Sequence, residues 1–90
     1  DGMFLSNDIL AAQCIAFALS QGLRIPDDLR IIGYDDIYIS SLIYPPLTTI
    51  RQNYSVLAET ALENVLAQIN GEKVEEVTVI PVELIERKTT

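Results

Sequence analysis

Three side chains stand where an open α/β sheet does its chemistry: Asn7, Asp35 and Asp36. Asn7 follows the short apolar run 2–6 (Gly-Met-Phe-Leu-Ser), and Asp35-Asp36 closes the run 29–34 (Leu-Arg-Ile-Ile-Gly-Tyr). Runs of this length and composition read as strands. An amide both donates and accepts, and a carboxylate is a charged acceptor, so the pair suits a polar small molecule. Each has a plainer role too: Asn is a good helix N-cap, and Asp closes the loop after a strand. A third use of Asp35-Asp36 is to hold Mg²⁺ or accept a phosphoryl group. Adjacent side chains of an extended segment point to opposite sides, which disfavours that chemistry. Lys73 and Lys88 are poorly placed to assist it.

The remaining composition excludes more than it suggests. There is no histidine and a single cysteine, Cys14, so zinc chemistry, an internal disulfide and Ser-His or Cys-His catalysis are not expected. No catalytic group, metal site or cofactor is expected, and the chain reads as a non-enzyme. Six Lys and Arg against thirteen Asp and Glu, a net charge of −7, argue against a grip on nucleic acid by these residues. No apolar run approaches the roughly 18 residues of a membrane span. No basic segment followed by an apolar stretch reads as a signal peptide. A reduced, cytoplasmic setting fits the cysteine usage.

The elements that must position Asn7 and Asp35 follow from periodicity. Ser6-Asn7-Asp8 offers capping side chains, so a helix should start there and run to about Gln21, with Gly22 as a left-handed cap. Ala11, Ile15, Ala18 and Leu19 form one apolar stripe; Leu10, Cys14 and Phe17 form a second on another face. A helix apolar nearly all round is buried on more than one side. After the Pro26-Asp27-Asp28 turn comes the second strand. Strand, helix and strand with short connections make a βαβ unit and a parallel sheet. Ligands bind beyond the carboxyl ends of such strands, where Asn7 and Asp35 sit.

Residues 37–44 carry Ile39, Leu42, Ile43 and Tyr44, which is too apolar for an ordinary loop and reads as a contact surface. Pro45-Pro46 stops any helix, and 47–51 is a strand or crossing segment. Residues 55–70 form an amphipathic helix with Leu57, Ala58, Ala61, Leu62, Val65, Leu66 and Ile69 on one face. Segments 77–80 and 82–85 are extended, with Pro81 as a break between them. The tail 86–90 is polar. With 49% of its residues hydrophobic, a chain of 90 residues is expected to leave apolar faces for something beyond itself to cover. Self-association is expected, with exchange of the 55–90 segment between chains as one route.

Several motifs, in order along the chain, resemble the lac-repressor (LacI) family of transcription regulators. Residues 1–8 (Asp-Gly-Met-Phe-Leu-Ser-Asn-Asp) resemble its strand-Asn-Asp segment, and 22–28 (Gly-Leu-Arg-Ile-Pro-Asp-Asp) its Gly-to-Asp turn. Residues 33–36 (Gly-Tyr-Asp-Asp) followed by 44–52 (Tyr-Pro-Pro-Leu-Thr-Thr-Ile-Arg-Gln) resemble its C-terminal signature, and Gly71 and 87–90 (Arg-Lys-Thr-Thr) also fit. The resemblance implies a parallel-sheet α/β fragment of the type I periplasmic-binding-protein-like fold. It would be mainly C-terminal subdomain, with one helix and strand of the N-terminal subdomain. Residues 1–51 would be part of the C-terminal subdomain. Residues 52–80 would supply a crossover plus N-terminal-subdomain helix and strand, and 81–90 a return strand. The DNA-binding helix-turn-helix would lie outside these residues, so DNA would be a partner only through it.

The resemblance also implies a small effector, a sugar or its derivative, held by Asn7, Asp35, Gln52 and Tyr54. Asp35 would accept from effector hydroxyls, and Tyr54 would lay a ring against the ligand. Ile37 falls where some sugar-responsive relatives carry a hydroxyl. A two-fold homodimer would use Ala12, Ile15, Ile39, Leu42, Ile43 and Tyr44. The alternative of the same fold is the C-terminal part of a sugar-binding protein of an ABC transporter.

Overall fold

Helix α1 (Asp8–Ser20) starts where a side chain can satisfy its open N-terminus: Asn7 Oδ1 accepts from the Leu10 N–H at 2.8 Å. It ends at Gly22, whose φ of +83° is the left-handed conformation that suits glycine, with the Leu23 N–H donating back to the Ala18 carbonyl at 3.1 Å. The computed structural model describes residues 1–90. On either side of α1 lie β1 (Gly2–Phe4) and β2 (Arg30–Ile32), paired in parallel with Gly2 opposite Arg30 and Phe4 opposite Ile32. This is the expected βαβ unit. In the turn before β2, Asp28 closes a ring with Arg24, whose Nε and backbone N–H both donate to Oδ2. The Arg24 side-chain and backbone hydrogen bonds hold the Asp28 carboxyl down at about 2.

One face of α1 makes the core. Ala11, Ile15 and Ala18 are buried, and Ala11 and Ile15 pack with Leu5, Ile31 and Leu47; Cys14, Ile25, Leu29 and Ile43 press against that cluster from its margin. The second stripe is covered only at Cys14: Leu10 is exposed and Phe17 is 69% exposed. Leu19, expected on the first stripe, is also exposed. β1 differs from expectation as well. Its apolar run reads as a buried strand, yet Met3 and Phe4 are exposed.

β3 (Thr49–Gln52) is reached through residues 45–48, where Thr48 bridges Ile32 in parallel. The Gly33 N–H donates to the Thr48 carbonyl at 3.0 Å and the Asp35 N–H to the Ile50 carbonyl at 2.9 Å, so the chain beyond β2 runs along β3. β3 also pairs with β4 (Val82–Ile85). Residues 86–90 are not a free polar tail. Thr89 is fully buried, and its backbone carbonyl accepts from the Ile31 N–H at 2.9 Å.

The chain divides into two compact units, residues 1–51 with 83–90, and residues 52–82. The second holds α2 (Tyr54–Ile69), capped by Asn53 Oδ1 accepting from the Val56 N–H at 3.1 Å and closed at Gly71, φ +77°. None of its side chains is fully buried; Leu57, Leu62, Val65, Leu66 and Ile69 stay exposed along the predicted face. Residues 77–80, expected as a strand, form none. A strand exists only through ladder bonds to a neighbour, and β4 begins after Pro81. No helix is long and apolar enough to cross a membrane.

Candidate functional site

The carboxyl ends of β1 and β2 lie side by side. The Leu5 N–H donates to the Ile32 carbonyl at 2.9 Å and the Asp8 N–H to the Tyr34 carbonyl at 3.1 Å. Asn7 and Asp35, each one residue from that last bond, are thus brought to the same sheet edge, both half-buried. The ring of Phe4 leans on Tyr34 beside them, centroids 6.5 Å apart. Asn7 accepts through its carbonyl oxygen at the helix cap, and its amide group is a donor.

The backbone at the tip of β2 is strained. Asp35 has φ +118° and Asp36 φ +55°, values that residues with a side chain seldom adopt. Such conformations persist only where the surroundings impose them, and they gather at ligand clamps. Here the restraints are explicit. The Asp35 N–H is tied to Ile50, the Asp36 N–H reaches Thr49 Oγ1 at 3.4 Å, and the Asp36 carboxylate takes Arg51 Nε and Arg87 Nη2, each at 2.7 Å. Burial pushes the Asp36 carboxyl up, but the Arg87 and Arg51 hydrogen bonds outweigh it and hold it below the usual carboxylate range. Asp36 is therefore an anchor that fixes the tip next to Asp35.

The side chain beneath the tip was not visible as such in the sequence. Asp8 reads in the sequence only as one of the capping side chains of α1, yet it is 1% exposed and its carboxylate accepts three hydrogen bonds. Its Oδ2 accepts from Ser40 Oγ at 2.5 Å and from the Ile37 N–H at 3.1 Å; its Oδ1 accepts from Thr49 Oγ1 at 2.6 Å. Every buried side-chain polar atom has a partner. The available clue was Gly33 among bulky neighbours: a Cβ there would overlap Asp8 Oδ1.

Gln52 closes β3 and Tyr54 opens α2; both belong to the second unit. The residues read as a dimer surface divide. Leu42 (61% exposed) and Tyr44 (87%) are open, Ile39 is exposed, and Ala12 and Ile43 are half-buried, Ile43 against the core. Ile15 is a correction: at 2% exposure it belongs to the core, because its stripe faces the sheet and cannot also face a partner. No three His, Cys, Asp or Glu side chains gather into a group that could hold a metal ion.

A model of the periplasmic binding protein-like domain matches residues 1–90. The ribose operon repressor of Bacillus subtilis is 43% identical over 91 residues, covering 100% of this chain and 28% of that repressor. Among solved structures, a lac repressor dimer bound to operator and the anti-inducer ONPF superposes with a TM-score of 0.89 at 37% identity, covering 99% of this chain and 31% of that one. A periplasmic binding protein/LacI transcriptional regulator from Alkaliphilus metalliredigens, complexed with D-xylulofuranose, superposes with a TM-score of 0.83 at 45% identity, covering 100% and 34%. The chain thus spans roughly a third or less of the proteins it matches. It belongs to the periplasmic binding protein-like domain family, and its relatives there are regulators of the LacI type.

Proposed function

We propose that these residues are the ligand-sensing and dimerisation part of a bacterial LacI-family transcription regulator whose effector is a sugar or a close derivative. The observation that carries this reading is the strained, doubly anchored tip with Asp35 beside Asn7. A fixed carboxylate and an amide donor on one sheet edge match the hydroxyl pairs of a polyol. The xylulofuranose complex of a 45% identical structure supports the ligand class. Gln52 and Tyr54 are proposed as further ligand contacts on the family resemblance alone. Effector binding would shift the parent protein between two arrangements and so change its hold on DNA. DNA contact is assigned to a helix-turn-helix outside these residues, since a net charge of −7 is ill suited to phosphates. Such a regulator works in the cytoplasm and is not an enzyme.

In this reading residues 1–51 and 81–90 are C-terminal subdomain and 52–80 N-terminal subdomain; the division of the chain into two units supports it. The dimer surface is proposed to be Ile39, Leu42, Ile43 and Tyr44 with Ala12, in line with the dimer formed by the lac repressor. Titration of the ¹⁵N-labelled chain with D-xylulose and with D-ribose tests the ligand reading. The amides of Asn7, Asp35 and Asp36 should shift together. Asp35→Asn should weaken binding about tenfold or more, as expected for a lost charged hydrogen bond. If neither pentose nor a hexose panel moves these amides, the reading fails.

A further inference from the structure

Asp8 ties three parts of the molecule together through one side chain. Ile37 continues directly from the Asp35-Asp36 tip, Ser40 lies in the single helical turn Tyr38–Ser41 at the head of the exposed apolar segment, and Thr49 opens β3. All three donate to one carboxylate that is 1% exposed. The two oxygens divide the labour. Oδ2 holds the chain leaving the tip together with the turn, and Oδ1 holds Thr49, whose own Oγ1 also takes the Asp36 N–H. The turn itself has no side-chain cap of its own, so Asp8 is its polar anchor.

We propose that Asp8 is a positioning residue that couples the Asp35 tip to the apolar segment 38–44, so that a change at either end is felt at the other. The inference builds on the reading of Asp35 as a ligand contact. Buried charges hydrogen-bonded to several elements act as one unit, because moving any donor exposes the others to an unmet acceptor. Coupling of this kind is reciprocal: a ligand that fixes the tip also fixes the segment, and a second chain docked on Leu42 and Tyr44 also fixes the tip.

The test is amide hydrogen exchange in the full 90-residue chain, without sugar, for Ser40→Ala, Thr49→Val and Thr49→Ser. Ser40→Ala should speed exchange of the Asp36 and Ile37 amides about tenfold or more, the loss expected for a hydrogen bond to a charge. Thr49→Val should speed the Leu42 and Ile43 amides, which close the turn onto the Ile39 carbonyl. Thr49→Ser, which keeps the hydroxyl, should restore the parent pattern, and the core amide of Ala18 should not change in any variant. Effects confined to the substituted element, a uniform acceleration that includes Ala18, or failure of serine to rescue would each overturn the proposal. A failure here is separate from failure of the ligand reading, which the pentose titration decides.

Discussion

Asp36 and Arg87 lie far apart in the chain and meet at 2.7 Å, Arg87 Nη2 donating to Asp36 Oδ1 while Arg51 Nε takes the other oxygen. The carboxylate is clamped from β3 and from the segment after β4. Its ionisation should therefore report on folding. Burial raises the carboxyl, and the Arg87 and Arg51 bonds reverse that rise and leave it below its ordinary 3.8. A folded-state value below the unfolded one contributes stability at and above the ordinary carboxylate range, lost as pH falls through the folded value. Urea unfolding should show stability falling once pH drops below about 4, the range of unfolded Asp. Asp36→Asn should lower stability at pH 7 and flatten part of that acid limb. An unchanged acid limb would mean that the clamp contributes nothing.

Arg87 does more than neutralise Asp36. Its Nη1 donates to the Leu47 carbonyl at 2.9 Å, and its backbone N–H donates to Thr48 Oγ1 at 2.9 Å. Arg87→Met keeps much of the aliphatic stem and removes the donors. The expected cost is about 2 to 3 kcal/mol, because a largely buried carboxylate loses one of two cationic partners. Arg51→Met, whose side chain is half exposed, should cost less than 1 kcal/mol or so. Equal losses for the two would contradict the unequal burial seen here.

Gly33 precedes the strained tip and leaves the space that Asp8 occupies. A Cβ at 33 would overlap Asp8 Oδ1 and stand 2.9 Å from Leu47 Cδ2. One neighbour is fixed by three hydrogen bonds and the other is core, so neither can move freely. Gly33→Ala should destabilise by about 1 to 3 kcal/mol by overpacking. Gly22→Ala should cost about 1 kcal/mol, through its positive φ alone, since nothing lies within 4 Å of a Cβ there. Chemical denaturation of the two variants measures the difference.

What could be read from the sequence was whatever periodicity and punctuation encode. The βαβ unit, the Asn7 cap, Gly22, and the placement of Asn7 and Asp35 at neighbouring strand ends all follow from local patterns. The two-faced nature of α1 was legible too, but not which stripe faces the sheet. Ile15 was assigned outward on the family pattern, and the sheet claims it. Long-range polar pairing was not legible. Asp8 meets Thr49 and Asp36 meets Arg87 across spans that no local rule addresses. The strand expected at 77–80 failed for the complementary reason: extended propensity is local, and the ladder that makes a strand is not.

Thr89 is the clearest residue of that second kind, and it carries the last prediction. From composition, 86–90 is a polar tail. In the fold, Thr89 is wedged between β2 and the approach to β3. Its Oγ1 donates to the Ile31 carbonyl at 2.6 Å and accepts from the Thr48 N–H at 2.9 Å, and the site is closed to solvent. Valine has the same shape and neither function. Thr89→Val should therefore strand a buried carbonyl and a buried N–H, costing about 3 kcal/mol. Thr89→Ser keeps both bonds and loses one methyl group, costing about 1 kcal/mol. The order is what matters. If β-branching and packing governed this position, valine would be the milder change. If the hydroxyl stitches β2 to the segment before β3, serine is. Equilibrium unfolding of the two variants in parallel with the parent decides between them.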